Sequence, residues 1–336
     1  MSYIPPLADP ALDSYVGGLV ARLVPDTATD AAVAVVVLRD PSLNAFSLPH
    51  GRIYVSTGLL TALRGEDELA LILAREAAHI AAGHAARAAA AARPAIDPPA
   101  HRFKGLGLDL ASAAAVTGFG PELEREADAE GLMRLARAGF HLDAAARTFG
   151  DLRGGRGGER GPQTFLMGNA RFLDDREASI QELRRDRADA PAAPGPGGPD
   201  LFAEALRVAV RENAMLEGRI GRFAAGRAQL ARALRLAPGD PVAHLHAGDL
   251  DRLEAQGSRG RADRRRLQEE AQIAYERAAL LAPEWPDPFH RLGLLAYELG
   301  QLDAARAAFE RYLAVAPDGP DARRVTEYLA ALPVRR

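Results

Sequence analysis

The chain has 336 residues, 48% of them hydrophobic and 26% charged, with a formal net charge of −3. That is ordinary globular material sized for two domains, and its charge gives no case for a nucleic-acid or anionic-membrane partner. It has no cysteine, which excludes disulfides and thiolate chemistry and leaves His and carboxylates as the only candidate metal ligands.

Lys104 is the only lysine beside many arginines, a compositional bias rather than a functional one, because no Arg cluster interleaves with aromatic residues. The start, MSYIPPLADPALDSY, has neither a basic nor an apolar leader region, so the expectation is a cytoplasmic protein, or a periplasmic one if a leader was removed. No run reaches the roughly eighteen apolar residues of a membrane span.

Ala11 to Leu23 has helical spacing at Leu12, Val16, Leu19 and Leu23, closed by Pro25. Ala32 to Leu38 is a β-branched strand run, and Asn44–Leu48 and Arg52–Ser56 flank a Pro49-His50-Gly51 turn, predicting a small sheet entered by a hairpin. Ser56 or Thr57 caps a short helix through Arg64, and Gly65 stops it. The stretch Glu66 to His84, EDELALILAREAAHIAAGH, is then expected as one amphipathic helix with a stripe at Leu69, Ile72, Leu73 and Ile80.

That helix carries a near-miss of the zinc-peptidase signature H-E-x-x-H, in which two His one turn apart hold zinc and the Glu acts as general base. Glu76 and His79 are in place, and Arg75 stands where the first His would be. His50 and His84 are spare imidazoles that could enter a rebuilt site. On a continuous helix His84 lies five residues after His79, about 500° of rotation and so roughly 140° off its face, and the expectation is an exposed residue near the helix end. His50 is expected as a turn residue rather than a recruited ligand.

Three blocks, NAFSLPHGRIYVSTGLL (44–60), EDELALILAREAAHIAAGH and ELEREADAEGLMRLARAGF (122–140), together resemble the HtpX/BepA type of zinc metallopeptidase, metallopeptidase family forty-eight. The resemblance implies a mostly α chain: a gluzincin-type α+β peptidase domain with a small sheet over residues 1–187, joined in the BepA-like branch to an α-solenoid of tetratricopeptide repeats. It implies that Glu124 takes the carboxylate zinc-ligand position with Asp128 in its second shell, and that the strand with Arg52, Ile53, Tyr54 and Val55 borders the cleft and pairs with extended substrate. Gly161 to Glu182 is similar to the family segment that brings another His toward the metal; Asn169 fills that position here. Bacterial protein quality control is the setting the resemblance implies.

Ala188 to Asp200, ADAPAAPGPGGPD, is a linker by composition, giving a boundary at 188–200. Residues 201–336 then repeat with the 34-residue logic of tetratricopeptide units, clearest at Pro286–Gly319, where Phe289, Leu292, Gly293, Gly300, Ala305, Phe309 and Pro317 occupy signature positions. About three repeats and a capping helix, Asp321–Leu332, form an α-solenoid. An Arg-rich insertion lies within Gln256–Gln268. The groove of such an array binds peptides or protein partners and is expected to include Arg211, Met215, Arg219, Leu245, Asp249, Arg252, Leu294, Tyr297 and Glu298.

A guanidinium has no lone pair for a metal. With Arg75 and Asn169 at two ligand positions, only His79 and Glu124 remain, and the expectation is a catalytically silent peptidase homologue acting as a protein-binding adaptor, with no cofactor. The alternative is a zinc endopeptidase with an altered metal site and Glu76 as general base. Arg75 is expected to pair with Glu76 or Glu124 in place of the ion.

Overall fold

A computed structural model describes residues 4–25, 33–91, 119–143 and 198–333, with isolated residues between 147 and 185. Packing divides the chain into two compact units, Met1–Asn213 and Ala214–Arg336.

The first unit opens with α1, Pro10–Leu23, whose start is fixed locally: Pro10 suits the first helical position, and the Asp9 carboxylate accepts from the Leu12 N–H at 2.9 Å. Three strands follow, β1 (Ala34–Leu38), β2 (Ala45–Leu48) and β3 (Arg52–Ser56), in the order β1-β3-β2. β1 runs parallel to β3, from Ala34 beside Arg52 to Leu38 beside Ser56, and β2 runs antiparallel to it, with Phe46 beside Tyr54. The hairpin turns on Gly51, whose φ of 87° is a conformation glycine adopts without penalty. Ser56 caps α2, Thr57–Ala62, through the Leu59 N–H.

α3, Glu66–Ala81, is the centre of this unit. Every residue from Glu68 to His79 is buried. The helix is therefore enclosed on all sides and not amphipathic as its apolar stripe implied, because α1, the sheet and α5 (Pro121–Arg137) each cover a different face. It also ends earlier than expected. Gly83, with φ of 62°, breaks the path after Ala81, and a second helix, α4 (His84–Ala91), begins there.

Helix α6, Gly198–Arg219, contains the division between the two units. Near its end Asn213 is fully buried, its Oδ1 2.9 Å from the Thr57 hydroxyl, which is also 3.0 Å from the Asp40 carbonyl.

The second unit continues with α7 (Phe223–Leu236), α8 (Pro241–Gly257), α9 (Arg261–Leu281), α10 (Pro286–Glu298), α11 (Leu302–Val315) and α12 (Ala322–Ala331). Small residues sit where paired helices cross. A Cβ on Gly248 would come within 2.5 Å of the Tyr275 ring, and one on Gly293 within 2.4 Å of Phe309. These are the signature positions expected of tetratricopeptide hairpins, and α12 closes the array with Val325 against Phe309 and Tyr312. Among the described residues, no helix is long and apolar enough to cross a membrane.

Candidate functional site

Arg75 lies in the middle of α3 with 1% of its surface exposed. Burying a guanidinium is tolerable only when carboxylates surround it, and α5 supplies two. Nε of Arg75 is 2.5 Å from Asp128 Oδ1, and Nη2 is 2.6 Å from Glu124 Oε2. The third carboxylate comes from α3 itself, with Glu76 Oε1 3.6 Å from Nη1. Burial opposes the charge on Arg75, but Asp128, Glu124 and Glu76 outweigh it and push its pKa up.

This approach needs close helices. A Cβ on Gly131 would meet Arg75 Cγ at 3.0 Å and its backbone nitrogen at 3.1 Å, so glycine is what lets α5 cross α3 at this residue. Glu124, Asp128 and Gly131 follow i, i+4, i+7 and share one helix face.

Glu76, at the general-base position, accepts a hydrogen bond from the Ser47 hydroxyl of β2 at 2.9 Å. His79 Nε2 is 3.9 Å from Glu124 Oε2. Its Nδ1 is 2.8 Å from Nδ1 of His84, so one ring donates and the other accepts. The Phe119 ring stacks on His79 at 4.3 Å.

His84 is a correction to the sequence reading. It is fully buried against His79, because Gly83 turns the chain before it and the 140° offset of a continuous helix does not apply. Burial pushes its pKa down, while Glu126, 3.4 Å from its Nε2, opposes the shift. Arg87 donates to both oxygens of Glu126, at 3.1 and 2.9 Å. His50 is an exposed turn residue, as expected.

Asp128, expected behind the ligands, makes the shortest contact to Arg75. Asn169 lies outside the described residues. Ser47 and Phe119 carry no sequence signal that joins them to this cluster, and only the spacing of Gly131 from Glu124 and Asp128 marks that glycine.

The expectation that Arg52, Ile53, Tyr54 and Val55 form a cleft-edge strand is overturned. β3 is central, paired on one side with β1 and on the other with β2, so its backbone has no edge left for a peptide. Ile53, Tyr54 and Val55 are buried and Arg52 alone is exposed. Among the described residues the edges of the sheet are β1 and β2. Because the Ser56 N–H donates to the Asn44 carbonyl, antiparallel alternation turns the backbone groups of Ala45 and Ser47 away from β3, although both residues are buried.

The expected repeat groove is also corrected in part. Arg211 packs in the first unit, with its Nε 3.7 Å from Glu212. Leu245 is core, buried with Ala271, Tyr275, Ala278 and Leu295. Arg252 is committed to Glu298: Nε donates to Oε2 at 3.1 Å and Nη2 to Oε1, and that hydrogen bonding, against the opposing effect of burial, pushes its pKa up. Asp249 accepts from both Tyr275 (2.8 Å) and Arg291 (2.9 Å). Arg219 and Tyr297 are exposed, the latter with its ring 5.2 Å from that of Tyr328.

Among the described residues, no three His, Asp or Glu side chains are grouped to hold a metal. Comparison with known proteins gives the setting of this cluster. The model described as "Peptidase family M48" matches residues 10–202, and a tetratricopeptide-repeat model matches residues 259–330. The mitochondrial metalloendopeptidase OMA1 of Schizosaccharomyces pombe is 37% identical over 115 residues, covering 32% of this chain and 34% of the relative. A putative β-barrel assembly-enhancing protease of Vibrio cholerae is 29% identical over 163 residues, covering 43% and 34%. The OMA1 of Arabidopsis thaliana is 32% identical over 110 residues, covering 32% and 23%. The chain spans about a third of the length of the first two relatives and less of the last.

Proposed function

The chain belongs to peptidase family M48, with a tetratricopeptide array behind the peptidase domain, and from that premise we propose a catalytically silent member that works as a peptide- or protein-binding adaptor. The observation that carries this reading is the Arg75 guanidinium, held between Glu124 and Asp128 in the enclosed core of α3 and α5.

Zinc is the ion this family uses, and catalytic zinc takes three protein ligands, with the fourth position left for water. The residues present do not fit it. Among the described residues His79 is the one imidazole within 4 Å of Glu124, and that Glu124 oxygen is already 2.6 Å from a cation that cannot deprotonate. A dication beside the guanidinium would be repelled. Arg75 does the electrostatic work of the ion by neutralising carboxylates that would otherwise be buried unpaired. The repeat array then offers surfaces for a peptide or protein partner.

The second reading, a zinc endopeptidase with an altered site, is favoured by one arrangement. Ser47 still orients Glu76, the group that would serve as general base.

Bound zinc in the purified protein, measured together with chelator-sensitive hydrolysis of an unfolded substrate, separates the two. The adaptor reading predicts neither in the parent and a gain of both in Arg75→His with Asn169→His. Parent activity that disappears in Glu76→Gln establishes the second reading instead.

A further inference from the structure

The α8–α9 hairpin outruns the α10–α11 hairpin that follows it. α8 continues from its crossing glycine, Gly248, to Gly257, whereas α10 stops at Glu298 after Gly293. α9 begins at Arg261, well ahead of Tyr275, whereas α11 begins at Leu302, closer to the equivalent Phe309. The added seven or so residues of α9, at 1.5 Å each, carry the connection about 10 Å further out.

The extended tip carries Arg259, Arg261, Arg264, Arg265 and Arg266 and a single acid, Asp263, all exposed. Arg265 and Arg266 are paired along the helix with Glu269 (2.8 Å) and Glu270 (2.7 Å). Arg264 donates to the Ser258 carbonyl at 2.7 Å, and Arg259 and Arg261 flank the turn on either side of Gly260. Leu267, the first large apolar residue after the turn, is buried.

These features select among anionic partners. With no exposed aromatic or large aliphatic side chain between Gln256 and Arg266, the tip has nothing to insert into a bilayer or to stack on a base. From Glu254 to Glu270 five arginines are met by four acids, so the field beyond a Debye length of about 8 Å is nearly neutral, and the diffuse pull that draws polybasic segments to a membrane is weak. What remains is short-range recognition, in which guanidinium forks meet carboxylates directly.

We propose that the α8–α9 tip is a docking point for an acidic segment of a partner protein, a run of Asp or Glu side chains taken up by Arg259, Arg261 and Arg264. The site belongs to the second unit, and the proposal does not depend on whether the Arg75 cluster is catalytic.

The test uses the full chain and a fluorescein-labelled hexaglutamate peptide, followed by fluorescence anisotropy in 50 mM salt, with hexaglutamine as control. Saturable binding of hexaglutamate alone is expected, weakened at least tenfold in the triple variant Arg259→Ala, Arg261→Ala, Arg264→Ala while its helical circular dichroism stays unchanged. Absence of binding by the parent, or equal binding by the triple variant, overturns the proposal. So does tighter association of the parent with phosphatidylglycerol vesicles or a single-stranded RNA oligomer than with the peptide.

Discussion

Two helix crossings in this chain are built by the same steric device and filled with opposite chemistry. Where α5 crosses α3, Gly131 makes room for Arg75; where α10 crosses α11, Gly293 makes room for the Phe309 ring. The ring needs only apolar neighbours and finds them in Ala305, Tyr312 and Val325. The guanidinium needs countercharge as well, and three carboxylates converge on it. A seat filled by dispersion and hydrophobic burial degrades gradually when altered, whereas one filled by charge fails when either sign is removed alone.

The largest expected effect follows from that asymmetry. Arg75→Leu conserves apolar volume but strands Asp128, Glu124 and Glu76, and a loss of about 3–5 kcal/mol is expected, read as lost hydrogen-exchange protection of α3 and α5. Adding Glu124→Gln and Asp128→Asn to it is expected to restore part of that protection, since fewer buried charges are then left unpaired. If Arg75→Leu alone keeps full protection, the crossing is not held by charge and the comparison collapses. Gly293→Ala, pressing a methyl into Phe309, is expected to cost about 1–3 kcal/mol, and Phe309→Leu in the same chain should recover some of it. Urea unfolding followed at Tyr and Trp fluorescence measures that pair.

How far each crossing could be foreseen follows the same division. Gly293, Phe309 and Pro317 announce their hairpin because a repeat restates its packing rule in every unit. The hairpin of β2 and β3 was equally legible from the Pro49-His50-Gly51 turn between β-rich runs. The sheet order was not, because pairing of β1 with β3 depends on partners distant in sequence, and so the central place of Ile53, Tyr54 and Val55 was missed. Arg75 pairing with Glu124 was anticipated, whereas the stronger role of Asp128 required the actual angle between α3 and α5. His84 was misplaced for a local reason: in an Ala-rich run helix propensity is uniform, and Gly83 was the only mark that the helix had ended.

A smaller effect is expected at Ser47. Ser47→Ala removes the hydroxyl donating to buried Glu76, and about 1 kcal/mol should be lost in the first unit alone, with exchange rates in α10 and α11 unchanged. Loss spread over both units would show that the two crossings are not independent.

The smallest effect separates the crossings by pH. His290 of α10 is 5% exposed, with Nδ1 3.3 Å from Asp321 Oδ2 and its ring 5.5 Å from that of Tyr312. Burial pushes its pKa down from the ordinary value of about 6.5, and Asp321 opposes that shift. Below about pH 6.5 the unfolded chain therefore binds more protons here than the folded one. The stability that neutral His290 confers is complete above that pH and declines as pH falls through it toward the lower folded value, by at most about 1.4 kcal/mol per pH unit. The Arg75 guanidinium does not titrate in this window. The protection factor of α12, its exchange corrected for the intrinsic pH dependence of amides, should accordingly fall between pH 7 and pH 5.5, and His290→Gln should flatten that response without changing the pH response of α3. An unchanged pH response of α12 in His290→Gln would assign the effect to another group and leave the repeat crossing as insensitive to protons as its apolar filling implies.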